Sequence, residues 1–286
     1  MLDRWQAFHL ARLFLRAIPE MPGKLRIARF ALRPFRNMKS VRVPDRFGNT
    51  LCCPSLEEPI ALAIFANGVY EPDTIAGIVG RLPRNGVYLD VGANIGAIAL
   101  PVARQRPDVR VICIEADPTI ATVLRRNVAD NALPNVTVAE CLAGSCSKEA
   151  VRFYTAPPDR FGMGSVGPQF DRPPILLRQV ALDELLDDMG IGDVDVIKLD
   201  VEGSELGVLQ GLTRRLTASR FPEVLFEFCD WAEERVGGQQ PGAAQAFLHS
   251  LGYRTFRLWR RGEAGVLVDQ PMSTGRAMLV SQRFEA

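Results

Sequence analysis

From Val87 onward, short apolar runs alternate with helical stretches. VYLDV (87–91), RVICIEA (110–116), NVTVAECLA (135–143), VDVIKLD (194–200) and EVLFEFCD (223–230) read as strands buried on both faces. Helical patterns follow over about 95–105, from Pro118 to about Asn131, over SELGVLQGLTRRL (204–216) and over about 241–251. Asp117 and Pro118 suit the cap and the first position of the second of these. Parallel strands joined by helices need crossovers, so the pattern predicts an α/β fold: a doubly wound, mostly parallel sheet with helices on both faces. Such sheets bind ligands at the carboxyl ends of their strands. YRTFRLW (253–259) and GRAMLVSQR (275–283) close the chain as an antiparallel pair.

Residues 148–180 break this rhythm. AVRFYTA and ILLRQVAL are strand-like and the FGMGSVGP between them is glycine-rich, which predicts an inserted β-hairpin serving as lid or substrate wall. Upstream, VRVPDRFGNTLCC (41–53) predicts a hairpin, and residues 58–66 and 72–82 predict helices, the second entered through Pro72. Trp5, Phe8, Leu10, Leu13 and Phe14 recur at helical spacing, so residues 2–17 should form an amphipathic helix ending before Pro19. The organisation expected is an arm (1–40), a hairpin with helices (41–83) and a catalytic domain (84–286).

Charge sharpens the view of the arm. The net charge of +1 conceals ten basic against two acidic residues in 1–42, or +8, and therefore −7 in the remainder. A helix packed on the body or on a second copy, with its arginines solvated, is the plainest expectation; contact with an anionic membrane surface is the alternative. No aromatics suited to stacking bases interleave the charges, so no nucleic acid partner is expected.

Composition adds exclusions. The chain has 286 residues, 47% apolar and 23% charged, an ordinary globular balance. No apolar run approaches the roughly 18–20 residues a spanning helix needs, and Arg12 and Arg16 interrupt the first apolar stretch, unlike a signal peptide. Cys52, Cys53, Cys113, Cys141, Cys146 and Cys229 form no CxxC pair, and only His9 and His249 are present. Neither a disulfide framework nor a histidine metal centre is expected, and the reading is a cytoplasmic chain.

The candidate chemistry lies in two segments. In DVGANIG, Asp90, Gly92, Ala93, Asn94 and Gly96 form a strand-to-helix turn whose glycines permit close ligand approach. The glycines stand four apart, so this is not the G-x-G-x-x-G fingerprint. A carboxylate before the first glycine suits a ligand carrying an ammonium group better than a pyrophosphate. Glu115, nineteen residues beyond Gly96, is placed to meet two ribose hydroxyls. Asp117 is a helix cap, and the end of the third strand, Glu140 to Ala143, should line an adenine slot. In KLDVEGSE, Lys198 and Asp200 share a strand face and Glu202 follows. Ser204 and Glu205 suit a helix start. Glu227 sits among apolar residues near the end of the fifth strand. Asp200 with Glu227 could hold a divalent cation, or one could act as a base; a salt bridge to Lys198 is the alternative for both.

GVYEP, VYLDVGANIG, IEADP and IKLDVEGSE, in that order, resemble the FkbM family of S-adenosylmethionine-dependent methyltransferases over about 65–259. The resemblance implies the class I methyltransferase fold, a Rossmann-like sheet of seven strands with the last antiparallel. It implies methyl transfer to hydroxyl oxygens of small molecules such as sugars, glycans and polyketides. Position by position, Asp90, Gly92, Ala93, Asn94 and Gly96 would hold the methionine part of the cofactor, and Glu115 with Ala116 its ribose. Cys141 and Leu142 would line the base, and Glu71 would face the same site. Asp200 and Glu202, with Lys198, would stand by the transferred methyl. Asn94 occupies a position that is often glycine in methyltransferases.

The implied reaction is an in-line attack of a substrate oxygen on the sulfonium methyl, leaving S-adenosylhomocysteine. An alkyl hydroxyl must lose its proton, to a base (Asp200 is favoured) or with help from a metal ion. A nicotinamide dehydrogenase of the same sheet class would explain Glu115 but not Asp90. A non-catalytic cofactor-binding or scaffold protein is the other reading, and the intact motif carboxylates speak against it. The aromatic tetrapeptide of base-flipping methyltransferases is absent.

Overall fold

The computed structural model describes residues 4–236 and 240–284. The chain opens with helices α1 (Arg4–Ala17) and α2 (Lys24–Ala31), then the hairpin β1 (Lys39–Pro44) and β2 (Thr50–Ser55), then α3 (Pro59–Asn67) and α4 (Pro72–Arg81). Glu58 caps α3, its carboxylate accepting from the backbone N–H groups of Ile60 and Ala61. The alternating part runs β3 (Val87–Val91), α5 (Ala99–Gln105), β4 (Arg110–Glu115), α6 (Pro118–Asp130) and β5 (Val136–Glu140). A second small sheet follows: β6 (Leu142–Gly144), β7 (Lys148–Phe153) and β8 (Ile175–Ala181). After α7 (Leu182–Asp188) come β9 (Val196–Leu199), α8 (Glu205–Gln210), α9 (Thr213–Leu216), β10 (Glu223–Cys229), α10 (Asp230–Val236) and α11 (Ala243–Ser250). Strands β11 (Arg254–Leu258), β12 (Ala264–Val268) and β13 (Arg276–Gln282) complete the chain.

The main sheet has the order β12-β11-β13-β10-β9-β3-β4-β5. β5, β4, β3, β9 and β10 are parallel, and β13 runs antiparallel to both β10 and β11. Its order reverses between β3 and β9, which opens the binding crevice of a doubly wound sheet. Side chains alternate along the buried strands. Tyr88, Val111, Cys113 and Val196 face a core shared with α3, α5, α6 and the N-terminal segments. Leu89, Val91, Ile112, Ile197 and Leu199 face the opposite core, with α7, α8, α9 and α11. Phe8 and Leu15 of α1 and Val41 and Val43 of β1 belong to the first core.

Several expectations need correction. The sheet has eight strands, because β12 pairs with β11 and extends the expected seven. The helix after the glycine turn begins at Ala99 instead of about 95, since Asn94 and Gly96 hold positive φ angles of 53° and 86° that no α-helix accepts. The run 135–143 is two strands: beyond Cys141 the chain leaves β4 and pairs in parallel with β8 of the insertion. Residues 204–216 form two short helices broken at Gly211, where a Cβ would stand 2.1 Å from the Gly144 carbonyl oxygen. α2, α7, α10 and β12 have no counterpart in the sequence reading. In α1 the expected apolar face splits: Phe8 is buried, whereas Trp5, Leu10, Leu13 and Phe14 are exposed.

The N-terminal hairpin is tied to the main sheet by two asparagines one turn apart on α6. Asn131 accepts from Thr50 N (2.7 Å) and donates to Thr50 O (2.9 Å). Asn127 accepts from Cys52 N (2.7 Å) and donates to Cys52 O (3.3 Å) and Ile95 O (2.9 Å). Their amides thus stand where a third strand would satisfy the edge of β2. Asn127 is fully buried. Asn127→Ala is expected to lose about 2–4 kcal/mol of stability in urea denaturation, because it orphans buried backbone groups. An unchanged midpoint would show that the hairpin is held by its apolar contacts alone.

Candidate active site

The turn after β3 lies directly against the end of β9. A Cβ on Gly92 (φ 77°) would stand 1.9 Å from the Asp200 carbonyl oxygen, and the Asp200 N–H donates to Val91 O at 3.1 Å. Glycine is therefore required where the two strand ends meet. Glu115 buttresses the turn from β4. Its Oε2 accepts from Asn94 N (2.8 Å) and its Oε1 from Asp117 N (2.8 Å). Burial pushes its carboxyl up to about 7, against those backbone donors. Asp117 caps α6 as expected, accepting from Thr119 N and Ile120 N.

Beneath the turn lies a buried charge cluster. Asp90 and Lys198 are register partners on β3 and β9, and Lys198 Nζ stands 3.2 Å from Asp90 Oδ1 and 3.6 Å from Asp200 Oδ2. Burial alone would lower the lysine pKa, but Asp90, Asp200 and Glu71 together hold it above the usual lysine range. Burial raises the carboxyl of Asp90 and Lys198 opposes this. Beyond that ion pair, neither Asp90 oxygen has a hydrogen bond of good geometry, nor does the neighbouring Tyr88 hydroxyl. Asp90 is fully buried and lines neither of the two cavities at the strand ends. It stands behind Lys198, one layer below the position the motif suggests.

The first cavity holds most of the cofactor residues expected from the sequence: Gly92, Asn94, Glu115, Ala116, Cys141 and Leu142. Phe153 and Phe161 of the insertion and Val201 also line it. Burial pushes the Cys141 thiol up to about 11, so it stands there as an apolar wall. Gly96 is not among the lining residues; its φ of 86° turns the chain into α5.

The second cavity, about 320 Å³, shares Gly92, Asn94, Gly162 and Asp200 with the first, and Ala93, Lys198, Glu202 and Glu227 line it as well. Glu202, at φ 53°, is pushed up to about 7 by burial and by Asp200 and Glu227, with Arg235 3.7 Å away opposing. Glu227 is also raised to about 7, by burial and Asp200; its salt-bridge partner is Arg276, not Lys198. Glu71, the left-handed residue before Pro72, accepts from Thr74 Oγ1 at 3.0 Å and lines a shallower neighbouring cavity with Glu227 and Arg276. Glu205 is structural: it is buried, and its Oε1 accepts from Val201 N and Gly203 N. Among the described residues no group of three or more His, Cys, Asp and Glu side chains is placed to hold a metal ion.

Glu58, Arg160, Trp231 and Arg276 also line the second cavity and lie outside the motifs; Tyr70, of GVYEP, lines it too. Glu58 announces itself only as an acid before Pro59 at a helix start. Arg160 lies in the glycine-rich insertion, whose sequence gives its position but not its direction.

These observations define a class I methyltransferase architecture, with a glycine turn, an acid after the second core strand and a carboxylate at the fourth. A profile of the "Methyltransferase FkbM domain" matches residues 90–255, and the chain belongs to that family. It is 29% identical over 164 residues to methyltransferase sdnD of Sordaria araneosa, covering 47% of this chain and 63% of that one. It is 28% identical over 236 residues to the AMB antimetabolite synthetase AmbE of Pseudomonas aeruginosa, covering 70% of this chain and 11% of that one. It is 28% identical over 198 residues to the 2-O-methyltransferase NoeI of Sinorhizobium fredii, covering 62% and 78%. The chain thus spans less than two thirds of the length of the first two relatives.

Five buried carboxyls fix the sign of the protein's pH response. Glu58, Glu115, Glu202 and Glu227 are raised to about 7 and Glu205 to about 8, from an ordinary 4.5. A raised folded-state pKa gives stability that is complete below the unfolded value and lost as pH rises through the folded one. The ligand-free Tm should therefore fall by about 5 °C or more between pH 5 and pH 8.5, and Glu205→Gln should flatten that slope. A Tm that rises over this range would contradict the placement of these groups.

Proposed function

We propose that the protein is an S-adenosylmethionine-dependent O-methyltransferase acting on a hydroxyl of a small molecule of the sugar, glycan or polyketide type. The observation that carries this reading is the pair of cavities that meet at Gly92, Asn94 and Asp200. The first suits a nucleoside. Each Glu115 oxygen accepts one backbone N–H and keeps a lone pair for a ribose hydroxyl. Phe153, Phe161 and Leu142 offer apolar walls for a base, and Gly92 and Asn94 bring the turn's backbone to the cavity wall. When bound, the cofactor supplies a methyl group on a positively charged sulfur.

The second cavity suits a polar acceptor. Asp200 stands at the junction, steered by Lys198, where it can receive the proton of an attacking hydroxyl. Glu202 and Glu227, both with pKa values near 7, can orient that hydroxyl or pass the proton on. Of the insertion, Phe161 lines the first cavity, Met163 the second and Gly162 both, so this segment forms a wall of each. The relative NoeI is a 2-O-methyltransferase, which supports oxygen as the acceptor atom. No helix among the described residues is long and apolar enough to cross a membrane.

Titration calorimetry with S-adenosylhomocysteine should show micromolar binding that Glu115→Ala weakens by about tenfold or more. No binding to the folded protein would overturn the cofactor assignment. Asp200→Asn should keep that binding but lower kcat on a hydroxyl acceptor by about 10² or more. Wild-type turnover should decline as the pH falls below 7, where Glu202 and Glu227 take up protons. Full turnover in Asp200→Asn would remove it from the proton's path.

A further inference from the structure

The two N-terminal helices are apolar in more directions than the fold uses. α1 and α2 both pack against α3, α1 through Phe8 and Leu15 and α2 through Ala28. On α1, Leu10, Leu13 and Phe14 lie on the side opposite Phe8 and Leu15 and are 50%, 60% and 63% exposed. On α2, Phe30 lies opposite Ala28 and is 67% exposed, flanked by Arg26 and Arg33. A helix apolar on both faces ordinarily has a partner on each. Here the second face is open.

The charge around this face names the partner. Neither helix contains an acidic residue. Arg26, Arg29, Arg33 and Arg36 line one cavity beside Phe30, against the one carboxylate of its lining, Glu57, with Arg33 stacked 4.9 Å over the Phe30 ring. Among the described residues none of these four arginines forms an ion pair, although the body of the chain carries a net −7. The cationic residues with a place in the fold are others: Arg16 donates to the carbonyls of Phe65 and Ile64, and Lys24 to that of Ile18. Unpaired arginines beside exposed aromatic and aliphatic side chains, on two helices laid over the same third helix, match the interface of an anionic bilayer. Phosphates meet the guanidinium groups while Leu13, Phe14 and Phe30 enter the acyl boundary. No helix among the described residues is long and apolar enough to cross a membrane, so contact would be with the surface.

We propose that α1 and α2 dock this protein on an anionic phospholipid surface through Arg26, Arg29, Arg33 and Arg36 and the outward residues Leu10, Leu13, Phe14 and Phe30. The test is co-sedimentation of the full chain with vesicles of phosphatidylcholine alone or with about one third phosphatidylglycerol. Binding is expected only to the mixed vesicles, weakening as salt rises. Arg26→Ser/Arg29→Ser/Arg33→Ser should weaken it about tenfold or more, and Leu13→Ser/Phe14→Ser should do the same while circular dichroism and Tm stay unchanged. All five positions are exposed, so the fold should tolerate both variants. Equal binding to neutral vesicles, no binding, or retention by either variant would overturn the proposal. So would a stable dimer in light scattering without vesicles that Leu13→Ser/Phe14→Ser dissociates, since a second copy would then own the face.

Discussion

The site depends on a lysine ammonium buried between two carboxylates on adjacent parallel strands. Lys198 is almost wholly enclosed, as is Asp90; Lys198 and Asp200 both line the second cavity, and Asp200 is the most exposed of the three. Isolating any one of these charges in the core would cost several kcal/mol. Together they constrain the register of β3 against β9, and with it the approach of Gly92 to the Asp200 backbone. The switch point of the sheet is thus held by charge on the face where Tyr88 and Asp90 alternate, and by Leu89, Val91, Ile197 and Leu199 on the other.

Above this pair the structure stacks two environments. Toward β4 and β5 the pocket is bounded by Glu115, Leu142 and the phenylalanines of the insertion. Toward β10 and α4 it becomes a basin of carboxylates and arginines, Glu202 with Arg235 and Glu227 with Arg276. Glutamates raised to about 7 are partly protonated at neutral pH, so small changes in occupancy or pH redistribute protons among them. That basin can accept a proton without committing it to one residue, which suits the removal of a proton from a hydroxyl.

The sequence was most legible where one physical demand governs a segment. Apolar runs of five to eight residues between helical stretches place β3, β4, β9 and β10 to within two residues, because burial on both faces leaves little choice of composition. DVGANIG, IEADP and KLDVEGSE place Gly92, Asn94, Glu115 and Asp200 together, because strand ends of a parallel sheet share one edge. Legibility failed where tertiary context decides. Asp90 reads as a ligand carboxylate but lies behind Lys198, since its face of β3 turns inward. Glu227 chose Arg276 over Lys198, because the antiparallel β13 lies beside β10, and that neighbour is 49 residues away in sequence. The apolar residues of α1 look like one face in a linear reading, yet the helix buries only Phe8 and Leu15. Arg160 reaches the second cavity from a loop and Trp231 from the start of α10, a helix the sequence reading did not place.

The central claim, that the Lys198–Asp90 pair organises the site, is tested most directly by a double-mutant cycle on unfolding free energy with Lys198→Met and Asp90→Asn. Each single change should destabilise the protein, Lys198→Met by about 3–5 kcal/mol because it strands Asp90. The double variant should recover part of that loss, with a coupling of about 2 kcal/mol or more. Additivity within about 0.5 kcal/mol would contradict the account and reduce the pair to two independently tolerated charges.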